Sequence, residues 1–168
     1  MSVTKTGQGM MTVGVVLGMV LLTIIFGEVQ EKRRNPNSEP TSLIKPESIE
    51  VPLKRNRQGH YLLVGRINGK DVEFLLDTGA TDVVVPENTA RSLGLPYGAR
   101  GTAMTANGAV TIYQTRIARL DLGQIKLTNI EASINPNMKG AILLGMSALS
   151  QIEFTQQADT LTLKQNSG

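Results

Sequence analysis

From residue 49 onward the apolar residues fall in short runs, cut by Asn-Gly pairs, single glycines and prolines. This punctuation constrains the fold more than any other feature, because strand-length runs between turn residues build antiparallel strands and leave no room for long helices. The run 61–67 is followed by Asn68-Gly69 and then by Val72, Glu73, Phe74, Leu75 and Leu76, which predicts a hairpin on a type I′ turn. A short strand is expected over 82–85 and a short helix over 86–93, with Pro86 in its first turn and Gly94 where a left-handed cap belongs. Residues 102–112 read as strand, Asn107-Gly108 turn, strand, a small-residue hairpin able to bend. Strands follow over 114–122 and 125–134, joined around Gly123, and Asn135-Pro136-Asn137 forms a loop. The apolar run 141–145 leads into a helical turn at 146–150, and a hairpin at 152–155 and 160–164 completes the pattern. The fold expected for 51–165 is therefore all-β, a closed barrel with one or two short helices.

The N-terminal part is of another kind. Residues 10–26 carry no charge, and as a helix they would span about 26 Å, close to the hydrocarbon thickness of a bilayer. No face of the segment is polar, so it reads as a transmembrane helix after a tail of residues 1–9 rather than as part of a soluble core. Gly27, Glu28, Val29 and Gln30 offer no small-x-small cleavage pattern, which favours an uncleaved anchor over a signal peptide. Residues 27–50 are polar, contain Pro36, Pro40 and Pro46, and are expected to form an extended, Pro-containing linker. The basic group Lys32-Arg33-Arg34 is too small, and too poor in interleaved aromatics, to indicate nucleic acid. Counted as a topology signal, it would place the following domain in the cytoplasm.

The strand over 72–76 ends on an acid. Asp77 follows Phe74, Leu75 and Leu76, where an unpaired carboxylate is costly, and precedes Thr78 and Gly79. Gly79 lets the backbone turn and bring peptide N–H groups to the carboxylate. There is one Asp-Thr-Gly and no second Asp-Thr-Gly or Asp-Ser-Gly. Two copies meeting across a two-fold axis would set two Asp77 side chains together. Such a pair shares one proton, one member acting as base toward a water and the other as acid toward a carbonyl. That chemistry needs no metal, no cofactor, no His and no Cys. It suits a chain without Cys and with His60 as its single imidazole.

These residues resemble the retropepsin-like (clan AA) aspartic proteases, and within them the bacterial membrane-anchored branch. The likeness rests on Leu75-Leu76-Asp77-Thr78-Gly79-Ala80-Thr81 and on Ile142-Leu143-Leu144-Gly145-Met146-Ser147-Ala148-Leu149. The hairpin tip at Thr105-Ala106-Asn107-Gly108 and the Asn35-Pro36-Asn37 segment after the apolar helix add to it. The resemblance implies an aspartic endopeptidase acting on polypeptides as a homodimer, with Asp77 as catalytic acid and base. Thr78 would lock the two loops across the dimer, and Gly79 would supply the turn and a carbonyl facing substrate. Ala80, Thr81 and Asp82 would meet the peptide backbone, and Asn107 and Gly108 would close over it as a flap. Leu143, Leu144 and Gly145 would support the loop from beneath. The branch also implies a single-pass protein of the bacterial inner membrane with its protease domain in the periplasm, against the Lys and Arg count. The competing function is a non-catalytic, membrane-tethered dimeric module that binds an extended peptide without cutting it.

Overall fold

The computed structural model describes residues 5–105 and 108–166. The chain divides into two compact units, Met1–Arg34 and Asn35–Gly168.

The first unit is one helix, α1 (Lys5–Arg34). It is long and apolar enough to cross a membrane, with a mean hydropathy of 2.4 and no buried residue in its most apolar window. The helix does not stop where the apolar run stops. Glu28, Gln30, Glu31, Lys32, Arg33 and Arg34 are good helix formers, and Arg34 reaches back one turn to Glu31 at 2.7 Å. Three cations in the last turn also oppose the negative end of the helix dipole.

The linker expected over 27–50 is thus replaced by three things: helix as far as Arg34, a buried turn, and two strands. The turn is Asn35-Pro36-Asn37, in which the Asn35 side chain is fully buried and Asn37 is 4% exposed. The Asn35 Oδ1 accepts the Asn37 N–H at 3.0 Å, and the Asn35 Nδ2 donates to Glu73 Oε1 at 2.8 Å. The Asn37 carboxamide behaves like an extra peptide unit between strands. Its Nδ2 donates to the carbonyls of Lys54 (2.9 Å) and Leu62 (2.6 Å), and its Oδ1 accepts the Lys54 N–H at 2.7 Å. Its backbone carbonyl takes the Val64 N–H at 3.2 Å.

The second unit is built from two sheets. The smaller has the order β1 (Leu43–Lys45), β2 (Ser48–Lys54), β11 (Thr160–Asn166), β10 (Glu153–Gln157), antiparallel throughout. The larger runs β3 (Leu62–Ile67), β4 (Lys70–Leu76), β9 (Ile142–Leu144), β5 (Val83–Pro86), β8 (Ile125–Asn135), β7 (Gly108–Leu122), β6 (Arg100–Thr105). A further β3–β7 pairing, Arg66 with Asp121 and Ile67 with Leu120, returns this sheet on itself, as the expected barrel requires. Leu63, Ile67, Phe74, Ile117, Leu120, Ile130, Ile134, Ile142 and Leu144 are fully or almost fully buried in the core. The β3–β4 turn has Asn68 at φ 50° and Gly69 at φ 84°, both positive as a type I′ hairpin demands. Helix α2 (Glu87–Leu93) follows Pro86 and ends on Gly94 at φ 70°, and α3 (Met146–Leu149) is a single turn after β9. The strands expected at 108–112 and 114–122 are one continuous strand, β7.

Candidate active site

Strand β4 positions Asp77. Val72, Phe74 and Leu76 pack on the core, so Glu73, Leu75 and Asp77 fall on the opposite face by the two-residue period of a strand. β4 pairs in parallel with β9, Leu75 beside Leu143 and Leu76 beside Leu144. The Asp77 N–H continues that ladder to the Leu144 carbonyl at 3.2 Å, which fixes the backbone at the point where the strand ends. The chain then turns. Asp77 Oδ1 accepts the Gly79 N–H at 2.9 Å, and the Asp77 carbonyl accepts the Ala80 N–H at 3.2 Å. The carboxylate is half-buried, while Thr78, Gly79 and Thr81 are exposed and Ala80 and Asp82 intermediate. The Thr78 hydroxyl has no hydrogen-bond partner among the described residues of its own chain.

The loop is held from below by the second signature. The first turn of α3 donates Met146 N–H to the Ala80 carbonyl and Ser147 N–H to the Thr81 carbonyl, both at 2.9 Å. Gly145 is buried, and a Cβ there would lie inside the carbonyl oxygens of Asp82 and Ala80, so only glycine permits the approach. Ser147 adds a bridge that had no role in the sequence reading. Its Oγ accepts the Val83 N–H at 3.0 Å and donates to the Glu131 carbonyl at 2.7 Å, tying the loop's exit to β8. Nothing but the hydroxyl itself signals this, because Ser147 and Val83 are 64 positions apart.

Leu143, Leu144 and Gly145, expected together beneath the loop, are divided by strand alternation. Leu144 is fully buried and Gly145 touches the loop, whereas Leu143 lies half-buried on the other face. There it stands between Leu75 and Val84, also half-buried, forming an apolar row on the face that carries Asp77. Leu75 and Val84 were not singled out in the sequence, where they read as ordinary strand residues. Asp82 lines a small cleft of about 140 Å³ with Gln114, Thr115, Arg116 and Glu131. A larger cleft of about 680 Å³ involves Arg66 and Asp71, at the far end of the β3–β4 hairpin from Asp77.

The hairpin expected to act as a flap is β6 with the start of β7, in register from Arg100 opposite Tyr113 to Thr105 opposite Gly108. Gly108 has φ 102°, and Met104 is 81% exposed. Asn107 lies outside the described residues. Among the described residues no group of three or more His, Asp or Glu could hold a metal ion.

Residues 63–151 match the sequence profile of the gag-polyprotein putative aspartyl protease family. An uncharacterized protein in the cobV 5′ region of Sinorhizobium sp is 33% identical over 120 residues, covering 68% of this chain and 52% of that protein. An uncharacterized protein of Rickettsia prowazekii (strain Madrid E) is 27% identical over 122 residues, covering 68% of this chain and 51% of its own length. The chain thus spans about half the length of the curated relatives it matches. Among solved structures, a retropepsin-like aspartic protease from Rickettsia conorii superposes with a TM-score of 0.62 at 27% identity. That match covers 77% of this chain and 97% of the other.

Proposed function

This chain belongs to the gag-polyprotein putative aspartyl protease family, with a retropepsin-like fold, and on that premise we propose that it hydrolyses peptide bonds as a homodimer, using a water held between two Asp77 carboxylates. The observation that carries the reading is the placement of Asp77. The carboxylate sits at the end of a core strand, in a loop that β9 and α3 pin from beneath, and each chain has one such loop. Two copies would supply the pair, and the exposed Thr78 hydroxyl would find its partner across the two-fold axis.

In the reaction, the unprotonated Asp77 takes a proton from the water as its oxygen attacks the peptide carbonyl carbon. The protonated Asp77 of the other copy gives its proton to the carbonyl oxygen. The tetrahedral diol then collapses: the Asp77 that took the water's proton gives it to the amine nitrogen, a diol hydroxyl returns a proton to the other Asp77, the C–N bond breaks, and a carboxylic acid and an amine are left. Gly79 and the residues around it, Ala80, Thr81 and Asp82, would align the peptide. The row Leu75, Leu143 and Val84 would receive apolar side chains beside the scissile bond, and the β6–β7 flap would close over it. We further propose that α1 anchors the enzyme in the bacterial inner membrane with its domain in the periplasm. A reporter active in one compartment only, fused after Gly168, tests the orientation.

The decisive experiment uses the purified chain and an unstructured probe peptide carrying Leu–Phe and Tyr–Leu bonds. Asp77→Asn should abolish cleavage, and titrating this variant into the wild type should inhibit it by forming mixed dimers. Residual cleavage by Asp77→Asn would refute the catalytic role, and absence of inhibition would refute the shared site. A module that only binds peptides would retain the probe uncut in both proteins.

A further inference from the structure

We infer that this protease selects polypeptides carrying a lysine or arginine a few residues from an apolar cleavage site, through the carboxylate of Asp82, and that it does so on both sides of the scissile bond. The inference rests on the homodimeric-protease reading above and adds the class of substrate to it. Asp82 lines the cleft of about 140 Å³ with Gln114, Thr115, Arg116, Glu131 and Ala132, which has room for one long polar side chain. Strand pairing brings these residues together. Ala132 of β8 lies between Val83 and Thr115, and Arg116 faces Glu131, so Asp82, one step before Val83, comes to the Glu131 end of that row.

The charges in the cleft do not cancel. Arg116 is already engaged, with its Nη2 3.2 Å from Glu131 Oε1 and its Nη1 donating to Asn129 at 2.8 Å. The Asp82 carboxylate makes no hydrogen bond or ion pair among the described residues. One negative charge is therefore left over, on a half-buried residue. In the same cleft the Thr115 hydroxyl is buried without a hydrogen-bond partner, a cost that a donor entering the cleft relieves. A lysine or arginine head brings both the donors and the opposite charge. A glutamine brings donors without charge, and a glutamate brings neither.

One residue fixes the backbone on both sides of Asp82. Ser147 gives its N–H to the Thr81 carbonyl at 2.9 Å and accepts the Val83 N–H on its Oγ at 3.0 Å. The carboxylate is thus presented before a substrate arrives, and little ordering is left for binding to bring about. Asp82 follows Asp77 by five positions, at most about 17 Å of chain, so the basic residue falls within about five extended residues of the scissile bond. A two-fold axis through the paired Asp77 side chains repeats the cleft, and the preference with it, on the other side of the bond.

The test uses the full chain in detergent and unstructured peptides with a Leu–Phe bond, in which a single Arg, Gln or Glu is moved through each position of that span. At one position on each side, kcat/KM should fall in the order Arg, Gln, Glu, with Arg at least about fivefold above Gln. Arg at both positions should multiply the two gains. The ratio between peptides is read within each variant, whatever its absolute rate. Asp82→Asn should bring the Arg and Gln peptides within about twofold, and Asp82→Lys should favour Glu. Arg116→Gln, which leaves Glu131 without its counter-ion, should raise the Arg-over-Gln ratio about two- to threefold. A wild type indifferent to Arg, a gain on one side only, a preference that survives Asp82→Asn, or a ratio that Arg116→Gln does not raise overturns the inference while leaving the protease reading intact. Failure of the wild type to cut any of the peptides overturns the protease reading and the inference with it.

Discussion

Replacing Asn37 with alanine removes a side chain that stands where no strand does. Its three side-chain bonds, 2.6 to 2.9 Å long, satisfy the N–H and carbonyl of Lys54 and the carbonyl of Leu62, at a residue only 4% exposed. Alanine leaves these groups without partners, and at about 1 kcal/mol for each lost bond the cost is about 3 kcal/mol. For a domain of this size each kcal/mol moves the melting temperature by roughly 3–6 °C, so a fall of about 10–15 °C is expected. Asn37→Asp makes the argument sharper. It keeps an oxygen for the Lys54 N–H, yet turns a second carboxylate oxygen toward two carbonyls, and should be at least as damaging as alanine. The assay is thermal unfolding of the full chain in detergent, followed by circular dichroism at the strand band. A fall below about 3 °C for Asn37→Ala, or a wild-type melt for Asn37→Asp, would refute the idea that this carboxamide joins the sheets.

Ser147→Ala unpairs the Val83 N–H and the Glu131 carbonyl and should cost about 1–2 kcal/mol. It should lower kcat more than it raises KM, with Ser147→Thr, which keeps the hydroxyl, recovering most of the rate. Gly145→Ala forces the loop away from α3, so roughly 2–3 kcal/mol of stability and nearly all cleavage should be lost in parallel unfolding and activity measurements. Acid sensitivity follows from Glu153, whose carboxyl is held below its ordinary value of 4.5 first by Asn166 and then by Lys164. A depressed carboxyl stabilises the fold above its unfolded value, and that contribution fades as pH falls through the folded one. Glu153→Gln should therefore melt slightly below wild type near neutrality, and the gap in melting temperature should close on acidification.

The hairpin that delivers Asp77 was readable because its information is local. Asn68-Gly69 sets the turn, alternation sets the faces, and Gly94 and Gly123, at φ 70° and 60°, mark the turns they were expected to mark. The burial of Asn35 and Asn37 was not readable. Their partners lie 17 to 38 positions away, and a polar, Pro-containing stretch looks the same whether it is solvated or clasped. The helix runs on past Phe26 because the residues from Glu28 to Arg34 include several good helix formers, a continuation that the end of the apolar run does not signal. At the site, the two signatures were legible as motifs. Which of their side chains face the loop and which face away depended on the parallel register of β4 with β9, and that pairing joins residues 68 positions apart.

The four-stranded sheet bears on when the fold can be completed. β2 pairs with β11 from Ser48 opposite Asn166 to Lys54 opposite Thr160, joining segments more than a hundred residues apart. Contacts at that separation form late and slowly, since a long loop must close before any bond is gained. Until β11 has been synthesised, β2 lacks that neighbour, and Lys54, which receives the Asn37 carboxamide, sits at the end of an unfinished sheet. A chain under synthesis thus carries the Asp77 hairpin well before its four-stranded sheet can be completed.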